Sequence, residues 1–586
     1  MRHKGIILFV FVLLLLPVAG FPQIIPPRIE WSWTSSNELP SYDQVDVTPL
    51  VVSLTDDNLD GRFDHEDYPD IVFSSYGGWF GAVLRAVDGR DGSAIFDVTE
   101  FSNRLKSGSN LAAGDIDADG RVEIIGHKRS TSRLIAFEND GSHKWDSDNF
   151  SVSCEWGGPA IADMDQDGIP EIIMGRTVFN PDGSLSWEGD YGGAKNGRWG
   201  PLSCVADVDM SGGLELIAGN SVYHSDGSVY WQKASSSGPR FVGPGTEDGF
   251  PAVADFDTDL YPEIVLVTRG SLYIFEHDGA LKVGPVPIPG ADPSDPTYPG
   301  GPPTVYDFDS DGWPEIGVAI REQDVVFEGD GSILWSYPIN ESSSGVSGST
   351  VFDLYGDGFP EVIHCDQDSI RIFDALSGIL LWSKEHSTHT AMEFPVIADI
   401  DKDGHAELLT VSSPYGDKSY NGLFAYGLDE GGIPWVEARR VWNQHTYHIT
   451  NVNDDGSLPR VESPNWVDYN NFRCQLAGLI GIYENEKPAK RVKSWSLSAM
   501  PNPFSTRTTI VFSSNSEQVS SLEELKVYDC TGRKVRGFDL HSDGIALRSF
   551  VWDGTDDDGR LLPTGVYIVS GHSRGGRVDA KIIIVR

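Results

Sequence analysis

Eight copies of one acidic loop recur at intervals of roughly 45–60 residues, starting at Asp56, Asp115, Asp163, Asp207, Asp255, Asp307, Asp353 and Asp399. The cleanest copy is Asp163-Met-Asp165-Gln-Asp167-Gly168-Ile-Pro-Glu171, which runs into the apolar stretch Ile172-Ile173-Met174. A fixed period of this size means a solenoid, a propeller or an array, because each unit must bury its face on its neighbours.

Each unit carries more than its loop. A short apolar strand precedes it, as in Pro159-Ala-Ile-Ala162, and a second follows it. A third strand, an Asp-Gly turn and a Trp-ended fourth strand complete the unit. The turn recurs in Asn139–Trp145, Pro181–Trp187, Ser225–Trp231 and Gly329–Trp335. Asp-Gly between alternating apolar residues predicts a hairpin, since Gly accepts the positive φ of the turn. Four short strands per unit fit a propeller blade. Helical periodicity is nearly absent across residues 30–435, which argues against helical repeats. It also argues against EF-hand pairs, where the same Asp spacing feeds a helix and ends in Glu at position 12. The fourth-strand Trp residues are expected in the core.

Carboxylates at positions 1, 3, 5 and 9 of a loop converge on one point. Five loops are complete: Asp115, Asp117, Asp119 and Glu123; Asp163, Asp165, Asp167 and Glu171; Asp255, Asp257, Asp259 and Glu263; Asp307, Asp309, Asp311 and Glu315; Asp399, Asp401, Asp403 and Glu407. Three depart from the pattern. One has Asp207, Asp209, Ser211 and Glu215; another has Asp353, Asp357 and Glu361 with Tyr355 at position 3; the first has Asp56, Asn58 and Asp60, then an insertion before Asp70. These three are expected to bind more weakly or not at all. The fifth loop has Leu260 where Gly is usual, which predicts a strained turn. Like charges held this close force proton uptake unless a cation intervenes. All the ligands are oxygens, which disfavours zinc and copper. Several carboxylates on flexible loops suit Ca²⁺ better than Mg²⁺. Ca²⁺ is therefore the expected cofactor, in several structural sites.

A net charge of −43 over 586 residues argues against nucleic acid or an anionic membrane as partner. An apolar content of 39% with 16 Trp argues against disorder. Residues 1–20 read as a secretory signal peptide: basic Arg2, His3 and Lys4, apolar Ile6 to Leu16, then Val18-Ala19-Gly20. No later segment is expected to span a bilayer as a helix. Five scattered cysteines, Cys154, Cys204, Cys365, Cys474 and Cys530, leave at least one unpaired. A Cys154–Cys204 bridge and buried free thiols both fit.

On these loops, residues 28–480 resemble the FG-GAP (VCBS-type) calcium propeller repeats of bacterial surface proteins, which are similar to the integrin α-subunit propeller. The FG…GAP string itself survives only as Phe80-Gly81-Ala82. The resemblance implies an all-β fold with an eight-bladed β-propeller, or a seven-bladed one if a terminal unit is incomplete. Arg28–Trp33 looks like a lone fourth strand that could complete the last blade. In that family ligands usually meet the face opposite the calcium loops, which makes Trp156 and Trp199 candidates for a ligand-contacting surface; packing between blades is the alternative. After a linker at 481–494, charged from Glu484 to Lys493, residues 495–586 read as a small Ig-like β-sandwich. Pro501-Asn-Pro-Phe504, Val527–Arg533 and Leu562–Tyr567 resemble the C-terminal sorting domains of type IX secretion, and Trp552–Gly559 is similar to the Ig-like domain of flagellar hook-capping proteins. This resemblance implies export across a Gram-negative outer membrane, with the export machinery as a partner and a secreted or outer-surface location. A plain spacer is the alternative.

Arg440–Gly456 is polar, aromatic and outside the repeat. His445 and His448 could ligate a metal or serve in acid–base chemistry, whereas a hydrogen-bonded insert sealing the last blade is the other reading. G-x-S-x-G, HExxH, phosphate-loop and dinucleotide signatures are missing. The expected function is binding of an extracellular glycan or protein ligand, as in adhesion, with no catalytic residue assigned. The alternative is a polysaccharide lyase similar to the rhamnogalacturonan lyases, which would draw on the His445 region.

Overall fold

The structure is a computed structural model. It describes residues 26–478 apart from 79–80, 237, 258, 293–296 and 429–433. Further along it describes residues 496–584 apart from 501–506, 514–521, 530–532, 539–540, 543–544, 547–548, 558 and 574–575. The expected signal peptide, the linker, Phe80, Pro501–Phe504 and Cys530 lie outside the described residues. The chain divides into two compact units at Asn485/Glu486.

Among its described residues, the first unit contains eight antiparallel sheets of four strands. The fold is therefore all-β, and this serial repeat of four-stranded sheets is that of a β-propeller. The third sheet is typical. Its strands Ala160–Ala162, Glu171–Met174, Thr177–Phe179 and Leu185–Glu188 pair in sequence order. The first three are buried almost throughout, and the fourth is the exposed outer edge. That gradient explains why first and second strands read as continuous apolar runs and fourth strands as mixed. In the Asp-Gly turn, Ser184 N–H donates to Asp182 Oδ1 at 2.9 Å while Gly183 takes φ +80°. A register shift beside Phe179 marks the bulge of such hairpins.

The eighth sheet is assembled from both ends of the unit. Val396–Ala398, Glu407–Ser412 and Gly422–Gly427 supply three strands, and Arg28–Trp33 pairs antiparallel with Gly422–Gly427 to complete it.

Neighbouring sheets are joined by an aromatic cap on the turn glycine. The ring of Trp231, in the fourth sheet, lies where a Cβ on Gly279 of the fifth would stand 2.8 Å away, and its Nε1 donates to His277 O at 2.8 Å. Trp335 does the same over Gly378, with Nε1 to Ala375 O at 2.7 Å. Trp31 repeats it over Gly92, with Nε1 to Gly89 O at 2.7 Å. The eighth sheet thus meets the first through the same contact that joins the fourth to the fifth and the sixth to the seventh. Glycine is doubly required here, by a positive φ and by the ring above it.

Residues 434–478 close the centre. The first strand of each sheet is an inner edge with unpaired backbone groups, and this segment pairs with them. Val51 and Trp442 exchange two backbone hydrogen bonds of 2.9 Å. Ala113 N–H donates to Asn443 O at 2.8 Å, and Ile161 N–H to Gln444 Oε1 at 2.8 Å. Val305 pairs with Phe472, and the Arg473 guanidinium donates to Pro251 O and Pro303 O. Thr350 Oγ1 donates to Arg473 O, and Asp399 N–H to Arg439 O. Seven of the eight sheets are tied this way. Arg439, fully buried, holds the segment's own fold by donating to Asp454 Oδ1, Ile449 O and Val452 O.

The described cysteines Cys154, Cys204, Cys365 and Cys474 are buried free thiols, so Cys154 and Cys204 form no bridge. The second unit has a three-stranded sheet (Ser496–Met500, Thr508–Ser513, Ser549–Trp552) and a four-stranded one (Lys534–Phe538, Leu522–Asp529, Gly565–Ser573, Gly576–Ile584). Trp552 packs edge-on against Tyr567 in its core, with centroids 5.8 Å apart.

Candidate metal centres

The acidic loops share one backbone form. Position 1 accepts the N–H of position 6: Gly120 to Asp115 Oδ2 at 3.0 Å, Gly168 to Asp163 at 2.7 Å, Gly312 to Asp307 at 3.0 Å, Gly358 to Asp353 at 2.8 Å. Position 9 accepts the N–H of position 2: Ile116 to Glu123 Oε2 at 2.9 Å, Met164 to Glu171 at 2.9 Å, Phe308 to Glu315 at 2.7 Å, Ile400 to Glu407 at 2.9 Å. Positions 4 and 6 are left-handed, as at Gln166 (+62°) and Gly168 (+91°). Leu260 takes this conformation at +74° without being glycine, so the fifth loop carries the strain its sequence predicts. The loops at Asp207 and Asp353 keep the same turn despite Ser211 and Tyr355.

In Asp115, Asp163 and Asp353 both carboxylate oxygens accept loop N–H groups, whereas other loops leave one oxygen unpaired. Asp207 Oδ1, Asp307 Oδ1, Glu315 Oε1 and Asp399 Oδ1 are buried and have no hydrogen-bond partner. Donor atoms lie within 4.8 Å of one another in Asp115, Asp117 and Glu123; in Asp163, Asp165 and Glu171; and in Asp307, Asp309 and Asp311. Burial, with the neighbouring carboxylates adding to it, pushes Glu171 up to about 7 and Glu315 and Glu361 up to about 9. Orphaned oxygens in an all-oxygen cluster fit a hard divalent cation.

The clusters differ in what already neutralises them. Lys144 Nζ donates to Asp117 Oδ2 at 2.8 Å and Glu123 Oε1 at 3.1 Å. Lys282 Nζ donates to Asp257 and to Glu263 Oε1 at 2.6 Å. His224 Nδ1 stands 3.0 Å from Glu215 Oε1, and Arg440 Nε donates to Asp399 Oδ2 at 3.0 Å.

The structure adds residues that the sequence reading left out. Glu276 lies with Asp257 and Asp259, and His224 with Asp209 and Glu215. Both directly follow the aromatic residue ending a third strand. Glu138, Asn180, Glu328 and Asp374 hold the same place in other repeats, so a column of ligand-capable residues was there to be read. The first loop is hydrogen-bonded differently from the others. Asp56 holds the usual turn, accepting from Gly61 N–H at 2.9 Å, but Asp70 accepts from Leu54 and Thr55 instead. Asp67 takes the closing role, accepting from Asp57 N–H at 2.9 Å. Asp70 stands at the start of the second strand, and its two donors directly precede the loop.

Trp156 and Trp199 stack at 4.1 Å with an 8° interplanar angle, and Arg198 lies over Trp199 at 3.9 Å. Trp199 is buried and Trp156 half-buried. His445 and His448 are separately engaged: His445 Nε2 stands 2.9 Å from Met392 O, and His448 Nε2 stands 2.5 Å from Glu462 Oε1. Both are buried inside the central segment.

Residues 115–174 and 255–318 match the FG-GAP-like repeat. The biofilm matrix protein Bap1 of V. cholerae superposes with a TM-score of 0.68 at 21% identity, over 78% of this chain and 100% of that one. The exotype rhamnogalacturonan lyase YesX gives 0.46 at 14% identity over 76% and 80% of the two chains. A Bacillus licheniformis rhamnogalacturonan lyase gives 0.44 at 15% over 78% and 82%. No curated protein sequence matches the chain. The chain is thus a β-propeller protein with FG-GAP-like repeats. No helix among the described residues is long and apolar enough to cross a membrane.

Proposed function

We propose that the eight sheets are the blades of one closed, calcium-stabilised ring that works outside the cell as a non-enzymatic binding or adhesive scaffold for a glycan or protein. The observation that carries this reading is the central segment. It pairs with seven of the eight sheets and keeps His445 and His448 in buried hydrogen bonds. The lyase alternative drew on that histidine region and loses its candidate. What is left for recognition is the rim opposite the acidic loops, where half-buried Trp156 stacks on Trp199. The calcium ions, held by the loop carboxylates, fix blade geometry by neutralising them. The reading extends to the second unit as an Ig-like sorting domain that directs a Gram-negative cell to export the chain. The likeness to a biofilm matrix protein agrees with it but supports the fold alone.

The test is binding of the purified chain to glycan and surface-protein arrays, with Ca²⁺ and with EDTA. Binding that disappears in EDTA is expected. Calcium-independent binding, or unsaturated products from acidic polysaccharides, would overturn it.

A further inference from the structure

Between the seventh and eighth sheets, on the rim away from the acidic loops, lies a second cluster of titratable groups. Glu341 sits in the link entering the seventh sheet, His364 at the end of that sheet's second strand, and Glu393 in the link entering the eighth. All three side chains are 0–1% exposed. Glu341 accepts no hydrogen bond of normal geometry, although the Ser347 and Thr390 hydroxyls face its carboxyl, and Glu393 Oε2 and His364 Nε2 have no partner. Buried polar atoms are normally paired, so the facing Glu341 and His364, with Glu393 close enough to act on Glu341 electrostatically, call for a ligand.

The histidine is held in a ligating form. Ser349 Oγ donates to Asp324 Oδ2 at 3.0 Å and so accepts from His364 Nδ1, 3.1 Å away. With the proton on Nδ1, the Nε2 lone pair is bare. It points toward Glu341 Oε1 at 3.9 Å, too long for a hydrogen bond but a spacing two donors on one cation can have. A polar partner fixing the tautomer through the other ring nitrogen is the usual support of a metal-ligating histidine. Thr388 Oγ1 holds Glu393 Oε1 at 2.5 Å and leaves Oε2 free. The two links are sewn together where Ser344 Oγ and Thr390 Oγ1 meet at 2.9 Å. Thr390 and Met392 take φ of +52° and +68°, a strain for side chains that only the surroundings can hold.

We propose that Glu341, Glu393 and His364 form a site for one divalent transition-metal cation, separate from the calcium loops. The mixed imidazole and carboxylate donors favour Zn²⁺, Co²⁺ or Mn²⁺ over Ca²⁺. The nearby carboxylates have other partners: Asp366 is paired with Arg371, and Asp46 accepts from Tyr76. His386 lies alongside, with Nδ1 3.0 Å from Ser412 Oγ and its Nε2 likewise unpartnered. Burial drives the Glu341 carboxyl well above its ordinary range, so a proton is the competing way to remove its charge. One proton on Glu341 could serve His364 Nε2, 3.9 Å away, and would still leave Glu393 Oε2 without a donor.

The experiment uses the full chain in excess Ca²⁺, which keeps the acidic loops filled, with Co²⁺ as the probe. One equivalent of Co²⁺ should survive desalting and give visible d–d absorption. His364→Gln and Glu341→Gln should each weaken it at least about tenfold while keeping the circular dichroism spectrum. Should both variants misfold, an anomalous difference map on a Co²⁺-loaded wild-type crystal decides, with its peak expected at these three side chains. No retained Co²⁺, unchanged affinity in both folded variants, or a peak elsewhere would overturn the proposal.

Discussion

Lys282 places its ammonium 2.6 Å from Glu263 Oε1, inside the fifth acidic loop. Lys144 repeats the arrangement with Glu123 in the second. Among the described residues, the carboxylates of the third, sixth and seventh loops form no ion pair, unlike those reached by Lys144 and Lys282. Lys282→Met leaves a buried carboxylate without its donor, at a cost of about 1–3 kcal/mol. Thermal melts should show a larger loss in EDTA than in Ca²⁺, because the ion replaces the missing charge. An equal loss in both would show that the lysine does not stand in for metal.

Chelation should act most strongly on the sixth loop, where Asp307 Oδ1 and Glu315 Oε1 are orphaned. Glu315→Gln is expected to remove one calcium site by titration calorimetry. It should also shrink the difference in melting temperature between Ca²⁺ and EDTA by a few degrees, since ligand binding stabilises by RT ln(1 + [L]/Kd).

The metal-free protein should lose stability as pH rises. Burial holds Glu315 and Glu361 up to about 9 in the folded chain, above the ordinary carboxylate range of the unfolded one. The folded state then binds more protons between about pH 4.5 and 9, so unfolding free energy falls across that window and levels off above it. Denaturant melts in EDTA at pH 5, 7 and 9 check the slope, and saturating Ca²⁺ should flatten it.

Asp454→Asn should destabilise the first unit by about 3–5 kcal/mol, as breaking a buried ion pair strands the Arg439 guanidinium. Arg439 Nη2 lies 2.7 Å from Asp454 Oδ1, with both residues buried. Chemical denaturation monitored by Trp fluorescence reads it directly.

Trp31→Ala should cost about 3–5 kcal/mol, because it removes the ring over Gly92 and the bond to Gly89 O. Limited proteolysis should then release the N-terminal strand first. Cleavage elsewhere at the wild-type rate, with the strand retained, would argue against its closing role.

Much of this was legible in the chain. The Asp spacing gives the turn, and the apolar run after Glu171 gives a buried second strand, because both follow from local geometry. Asp-Gly before Trp187 gives the outer hairpin for the same reason. What escaped depends on distant contacts. Asp67, inside the insertion, accepts the Asp57 N–H in place of Asp70, and spacing alone does not reveal which acid takes that bond. Residues 434–478 carry no period, since they are shaped by seven different partners. Glu341 and His364 come from separate blade links that only the fold brings together. Trp199, a surface candidate by its motif, is buried under Trp156.

The central segment and the strand at Arg28–Trp33 set an order of assembly. One waits from the beginning of synthesis for a partner made near the end, and the other leaves the ribosome after every strand it must fasten. A nascent chain therefore cannot complete its eighth sheet until residue 427 has emerged, and truncation upstream of 434 removes one segment that fastens seven of the eight sheets.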